Sequence, residues 1–437
     1  MTLFVLFACS TPEPFVALQQ RVVVIGVDGA NWTVMGPMIE AGELPTLARM
    51  EREGAGMREL GTLKSTSSPL VWTSAATGQP PKKHGIEDYV EVLPDGSKVP
   101  ITSNSRKVKA IWNVATEHNL SVGVIGWWAS WPAETVNGYV VSDHANPATA
   151  GWMMQGDKYW TASPEALAAR GHDVYPGDLD LSAHWIAPDA FPKADFLARS
   201  KVSEPQLEQV MLAPWNERTP YSWLKTFYAV DKPYVDIARR LTSERPTDLQ
   251  MLYVRGPDPL QHYAWDLVEP DAFARKPEHL DRDLGIVQGV YRYVDTFLAE
   301  LLADQPEGVD TTIIVLSDHG AEPAKDADDP ARTDRPGRHS RAAKGVLFIT
   351  GPHVREGEKL DDATPMDLAP TVAWLLGLPV ADDLAGKPLT DAFSDDFVAW
   401  RGEHTVPTWG EREVQPGLAS PGDDVMLESL RGLGYIE

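Results

Sequence analysis

The stretch Arg21-Val22-Val23-Val24-Ile25-Gly26-Val27-Asp28 is apolar and largely β-branched until it stops on an acid. A short run with no polar alternation reads as a strand buried on both faces, as in a parallel sheet covered by helices. Similar runs recur at 121–126, 249–255, 311–317 and 346–350. Apolar residues at helical spacing lie between several of them, at 44–53, 108–118, 234–245, 287–303 and 366–376. Strands alternating with helices predict an α/β fold, a three-layer α/β/α sandwich on a mostly parallel central sheet. The core is expected over 21–145 and 233–400.

Between 146 and 232 the text turns to Trp, Tyr, Pro and Asp without a clear period, which predicts an irregular, aromatic-rich cap insertion. Trp152, Tyr159, Trp160, Trp185 and Trp215 then read as packing within that cap, or as a surface for a base, lipid or sugar. The stretch 321–341 reads as a polar loop, and 401–437 as a C-terminal tail.

Of the 437 residues 43% are hydrophobic and 23% charged, a soluble globular profile. The formal charge of −24 argues against a nucleic-acid polymer or an anionic lipid surface read by bulk electrostatics. It would also repel an anionic small molecule, so phosphate chemistry here must be local and cation-assisted. The single cysteine, Cys9, excludes an internal disulfide, a cysteine-rich zinc site and a cysteine dyad. Leu6-Phe7-Ala8-Cys9-Ser10 resembles a bacterial lipoprotein cleavage site, although no basic residue precedes the apolar run. Residues 1–20 are therefore expected to be a lipoprotein-type signal and tether. This places the protein in the bacterial cell envelope, periplasmic or extracytoplasmic, with the membrane reached only through a lipid on Cys9.

Asp28 follows its strand directly and precedes Gly29, which is where open α/β sheets place ligand groups; a turn carboxylate is the plainer reading. Asp318-His319-Gly320 repeats the arrangement after another apolar strand, the glycine allowing backbone curvature to aim both side chains inward. Past a third strand, Asp258 and His262 are four apart, so a helix puts both on one face, as two ligands of one ion require. His339 lies in the polar loop before the 346–350 strand and completes a set of three Asp and three His. That set suits two ions of the Zn²⁺ type better than Mg²⁺ or Ca²⁺, which favour all-oxygen shells. Ser142-Asp143-His144 carries the same text after a shorter strand but is followed by Ala145, and Asp143 reads as a structural acid.

For a nucleophile, Ser65-Thr66-Ser67-Ser68 runs into a helix with Pro69 at its first position and Gly78 at its end, making Ser68 the N-cap. Capping alone explains a serine there. A helix N-terminus also stabilises an alkoxide and a bound phosphate, and a metal ion would lower the hydroxyl pKa further.

In this order, Asp28, Ser68, Asp258-x-x-x-His262, Asp318-His319 and His339 resemble the alkaline phosphatase superfamily, and most closely its type I phosphodiesterase/nucleotide pyrophosphatase branch. Trp72-Thr-Ser-Ala-Ala-Thr-Gly78, His84-Gly85, Met366-Asp-Leu-Ala-Pro-Thr371 and Leu375-Leu-Gly-Leu-Pro379 extend the likeness. The resemblance implies two divalent ions, zinc in that family, one on Asp258, His262 and His339 and the other on Asp28, Asp318, His319 and the nucleophile. It implies hydrolysis of a small phosphoester through a covalent phospho-serine, serine standing where the family usually has threonine. A family asparagine that binds phosphate falls near Lys109 or Asn104, which are the candidate substrate-binding residues. Three rivals remain: a phosphomonoesterase; a sulfatase, whose fixed Pro and Arg pattern Ser68-Pro69-Leu70-Val71 does not complete; and a membrane-tethered binding protein without turnover.

Overall fold

The computed structural model describes residues 20–93, 96, 98–146, 173–186, 190–215, 219–273, 280–324, 335–340, 343–412 and 427. Cys9 and the rest of the expected signal, Trp152, Tyr159 and Trp160 of the expected cap, and the last ten residues lie outside the described residues.

Nine strands form the central sheet: β1 (Gln20–Val27), β2 (Ala55–Leu60), β3 (Val122–Ile125), β4 (Gly138–Val141), β5 (Val174–Tyr175), β6 (Leu249–Val254), β7 (Asp310–Leu316), β8 (Gly345–Thr350) and β9 (Glu358–Lys359). Their spatial order is β9-β2-β8-β7-β1-β6-β3-β4-β5. All eight residues of β1 are buried. Val23, Ile25 and Val27 pack into one core cluster, and Val22 and Val24 into the other. That period of two puts a hydrophobic layer on each face, and each such valine, fully buried, contributes about 1.5–3 kcal/mol. Helices Trp32–Glu40, Pro45–Glu53, Pro220–Glu244, Asp258–Val268 and Leu280–Ala303 cover the first face. Helices Ser68–Thr77, Ile111–Glu117, Leu368–Leu376 and Asp395–Arg401 cover the second. The result is the expected three-layer sandwich.

The sheet is mixed. β1 is parallel to β6 and β7, β3 to both β4 and β6, and β9 to β2. β8 runs antiparallel to both β2 and β7, and β5 antiparallel to β4. The reason for β8 lies in its connection: among the described residues no crossover helix separates it from β7, so the chain returns from the end it has just left.

The described part of 146–232 differs from the irregular cap expected. Val174–Tyr175 extends the central sheet, and helices Lys193–Ser200, Glu204–Leu212 and Pro220–Glu244 follow. Phe196, Val210 and Phe227 belong to the same core cluster as Val23 and Ile25, and Trp185 and Trp215 pack against it. The Pro220–Glu244 helix also runs unbroken across the 232/233 boundary, with Pro233 inside it. Two prolines and aromatic residues on several faces hid the helical period.

Two further stretches are better ordered than their composition suggested. Within 321–341, Glu322–Pro323 pairs with Gly337–Arg338 as an antiparallel ribbon. In the tail, Thr405–Val406 pairs with Val380–Ala381, and Arg412 Nε lies 3.0 Å from the Glu134 carboxylate.

Candidate metal centre and nucleophile

The three acids follow three adjacent parallel strands. Gly26 of β1 is level with Tyr253 of β6 and Leu316 of β7, so the chain leaves all three at one end of the sheet. Asp28, Asp258 and Asp318 are all buried there. Gly29, at φ +72°, makes the convergence possible: a Cβ on it would stand 2.6 Å from the Asp258 Cβ. Gly320 serves differently from expectation. Its φ is not left-handed, but a Cβ would lie 2.5 Å from the Lys344 carbonyl oxygen, so the glycine permits a close approach rather than a curve.

The histidine rings are oriented from behind. Nδ1 of His262 bonds the Gly337 carbonyl at 3.0 Å, and Nδ1 of His319 bonds the Gly320 carbonyl at 3.0 Å. Because a carbonyl only accepts, both Nδ1 atoms carry a proton, which leaves Nε2 as the nitrogen that turns a lone pair toward the site in the neutral ring. His339 Nδ1 lies 2.8 Å from the Thr66 hydroxyl. Asp258 and His262 stand one turn apart on the Asp258–Val268 helix, with His262 Nε2 3.5 Å from Asp258 Oδ1. His319 Nε2 is 3.4 Å from Asp28 Oδ1 and 3.3 Å from Asp318 Oδ2. His339 Nε2 is 4.0 Å from Asp258 Oδ1, and its ring stacks on that of His319 at 3.9 Å.

The carboxylates are held in the same manner. Asp28 Oδ2 accepts from Tyr253 Oη at 2.6 Å and Trp72 Nε1 at 3.2 Å. Asp318 Oδ1 accepts from the Gly29 amide at 3.3 Å. The remaining atoms, Asp28 Oδ1, Asp318 Oδ2, His319 Nε2 and His339 Nε2, are buried with no hydrogen-bond partner. Ligand atoms of Asp28, Asp318 and His319 lie within 4.8 Å of one another, as do those of Asp258, His319 and His339, so two candidate ion sites abut at His319.

Acceptors facing acceptors in a buried site repel unless a cation lies between them. Zinc bonds of about 2.0–2.1 Å in a tetrahedral shell separate neighbouring ligands by about 3.3–3.4 Å, matching the spacing around His319 Nε2. The residues therefore fit a pair of divalent ions. Without cations, burial followed by repulsion from Asp258 raises the Asp28 carboxyl above its ordinary range, and burial followed by Asp28 raises Asp318 well above its own. Burial, with Arg335 second, pushes His262 down to about 3, and burial drives His339 well below its ordinary value. The two carboxyls are denied a negative charge that a bound cation would stabilise, and the two imidazoles are held neutral, the form that ligates a metal ion.

Ser68 is the first residue of the Ser68–Thr77 helix, and Ser67, not Ser68, occupies the capping position, with no side-chain cap bond. Among its neighbours Ser65 is exposed and Ser67 half-buried, their hydroxyls 3.3 Å apart, whereas Ser68 is buried. Two residues before it Thr66 meets His339, and one turn after it Trp72 holds Asp28, so Ser68 sits on the segment that bridges the two candidate sites.

Of the two residues expected at a phosphate pocket, Lys109 bonds the Glu117 carboxylate at 2.8 Å through its Nζ. Asn104 is buried in the tight turn Ser103–Ser105. Asp143 accepts from the Ala129 and Trp131 amides, each at 3.0 Å, and from Ser130 Oγ at 3.2 Å, a structural role. Tyr253, Thr66 and Tyr89 went unseen in the sequence. Tyr253 lies inside a strand pattern where an aromatic residue reads as core, while Thr66 and Tyr89 lie in stretches without a period.

Residues 22–367 match the family profile of type I phosphodiesterase / nucleotide pyrophosphatase. No curated protein matches the chain. Among solved structures it is similar to murine ectonucleotide pyrophosphatase/phosphodiesterase 5, solved as an inactive variant in complex with AMP. The two share 12% identity with a TM-score of 0.51, over 86% of this chain and 100% of that one. The human form of that protein gives 12% and 0.50 over 86% and 100%. A variant of alkaline phosphatase PafA gives 12% and 0.50 over 87% and 100%. At these identities the likeness is one of fold.

Proposed function

The chain belongs to the type I phosphodiesterase/nucleotide pyrophosphatase family, and on that footing we propose that it is a two-zinc phosphodiesterase or nucleotide pyrophosphatase acting through a phospho-serine. The observation that carries the metal requirement is the convergence of four buried, partnerless ligand atoms from Asp28, Asp318, His319 and His339. Asp258, His262 and His339 would hold one ion, and Asp28, Asp318, His319 and Ser68 the other. When bound, the pair supplies positive charge for the attacking and leaving oxygens of an in-line displacement.

The rest is done by the chain. Trp72 and Tyr253 keep Asp28 Oδ2 occupied, so that Oδ1 points into the site. The helix N-terminus at Ser68 directs amide N–H groups and partial positive charge toward the phosphoryl group. Ser68 Oγ attacks phosphorus and gives up its proton. The bond to the leaving oxygen breaks, and that oxygen takes up a proton. Water then attacks the phospho-serine, restoring the hydroxyl and releasing the phosphoryl product.

A small phosphoester such as a nucleotide derivative fits this reading, in keeping with the AMP bound by the murine relative. A phosphomonoesterase is the second reading, favoured by the fold shared with alkaline phosphatase PafA. Lipid anchorage at Cys9 in the bacterial envelope completes the proposal. The Ser68→Ala protein is expected to lose hydrolysis of bis-p-nitrophenyl phosphate while keeping its zinc. Wild-type rates from it would remove Ser68 as the nucleophile.

A further inference from the structure

Tyr89 lies outside every motif read from the sequence, yet the structure sets it against the nucleophile. Its side chain is buried and hydrogen-bonds both the side chain and the main chain of Ser68, and it is close enough to Asp258 and Asp28 to feel their charge. Trp128 meets its ring edge-on at 5.8 Å and also meets Tyr253 at 6.2 Å, while Tyr253 packs on Trp72 at 5.2 Å. This aromatic wall joins Tyr89 to the two residues that hold Asp28, so the phenol is anchored to the same frame as the ligands. Its main-chain carbonyl accepts from Ile101, tying the residue to the base of the Val90–Val92/Lys98–Pro100 hairpin.

We propose that Tyr89 is a catalytic and specificity-determining residue whose hydroxyl bonds Ser68 at rest and donates to a non-bridging phosphoryl oxygen when substrate is bound. This rests on Ser68 being the nucleophile. A phenol is a neutral, single, directional donor. It serves the one negative charge of a phosphodiester, whereas the second charge of a monoester calls for a cation such as lysine or arginine. Tyr89 thus takes the place that the sequence reading offered to Lys109, with the opposite consequence: the pocket selects phosphodiesters over phosphomonoesters.

The test compares zinc-loaded wild type with Tyr89→Phe, which keeps the ring against Trp128, and with Tyr89→Lys. The readouts are kcat/KM on bis-p-nitrophenyl phosphate and p-nitrophenyl phosphate, orthovanadate affinity by calorimetry, zinc content and melting temperature. Tyr89→Phe is expected to lose about 10- to 100-fold in kcat/KM on the diester and a comparable factor in vanadate affinity, with zinc content and melting temperature unchanged. Tyr89→Lys is expected to move the diester-to-monoester ratio toward the monoester. Wild-type diester kinetics and vanadate affinity in Tyr89→Phe, or an unshifted ratio in Tyr89→Lys, would overturn the assignment. A wild type that hydrolyses neither ester defeats the phosphoesterase reading instead, and the vanadate comparison then still decides whether Tyr89 donates to a phosphoryl-like oxygen.

Discussion

At the end of Gly138–Val141 the chain reads Ser142-Asp143-His144, and at the end of Asp310–Leu316 it reads Ser317-Asp318-His319. Both acids are buried. Around Asp143 the loop after β3 folds back, and the Ala129 and Trp131 amides and the Ser130 hydroxyl all donate to the carboxylate. His144 stacks flat on Trp131 at 5.0 Å. Around Asp318 the nearest groups are Asp28 and His319, Oδ2 has no donor, and the carboxyl is raised well above its ordinary range by burial and Asp28. Both carboxylates leave water, but Asp143 receives protein hydrogens on both oxygens, whereas Asp318 receives one, from the Gly29 amide on Oδ1, and none on Oδ2. A buried carboxylate whose two oxygens both find N–H or O–H donors belongs to the scaffold, and one that leaves an oxygen facing only acceptors, as Asp28 and Asp318 do, implies a cation.

The largest effect that can break this comparison is expected from Asp318→Ala. Removing a ligand from the candidate site should cost on the order of 10³-fold in kcat/KM, together with zinc, measured on one sample by steady-state kinetics and metal analysis. Full activity with two zinc ions retained would show that the orphaned atoms are not ligands. Asp143→Ala is expected to do the reverse. Leaving the Ala129 and Trp131 amides unpaired should lower unfolding free energy by about 3 kcal/mol in a denaturant titration, while zinc content and kcat/KM stay at wild-type levels. A loss of zinc there would place both Ser-Asp-His segments in the same class.

Asp231 lies between the two extremes and sharpens the distinction. It accepts from the Arg255 and Gly256 amides, each at 3.0 Å, at the turn that leads into Asp258. Two donors do not offset full burial, and its carboxyl is pushed up to about 7. A folded pKa above the unfolded value means that the contribution to stability is complete below about pH 4 and is lost as pH rises through about 7. Asp231 is therefore expected to account for about 1 kcal/mol of the stability that the zinc-free protein loses between pH 6 and 8, the part of the slope that Asp231→Asn should remove in parallel denaturant titrations.

Much of this arrangement was legible because its signals are local. An apolar β-branched run such as 22–27 reads as a strand wherever it occurs, and an acid directly after it marks a sheet end. Asp258 and His262 share a face because four residues make about one helical turn. The motif order from Asp28 to His339 carried the family, which the profile match over 22–367 confirms. Less legible was the 190–244 region, where Pro220 and Pro233 interrupt the text of a helix whose buried residues include Trp223, Phe227 and Tyr228.

By itself, then, the sequence determined the strand–helix alternation, the candidate ligands and the family. Tertiary structure alone decided that β8 runs antiparallel, that Asp318 faces Asp28 while Asp143 faces amides, and that Tyr253, Thr66 and Tyr89 back or flank the site. The physical reason is that a side chain's role depends on which donors, acceptors and charges the fold sets within about 4 Å of it. Those neighbours come from strands and loops tens to hundreds of residues away, as with Asp28 and Tyr253, and strand order in the sheet is what brings them together.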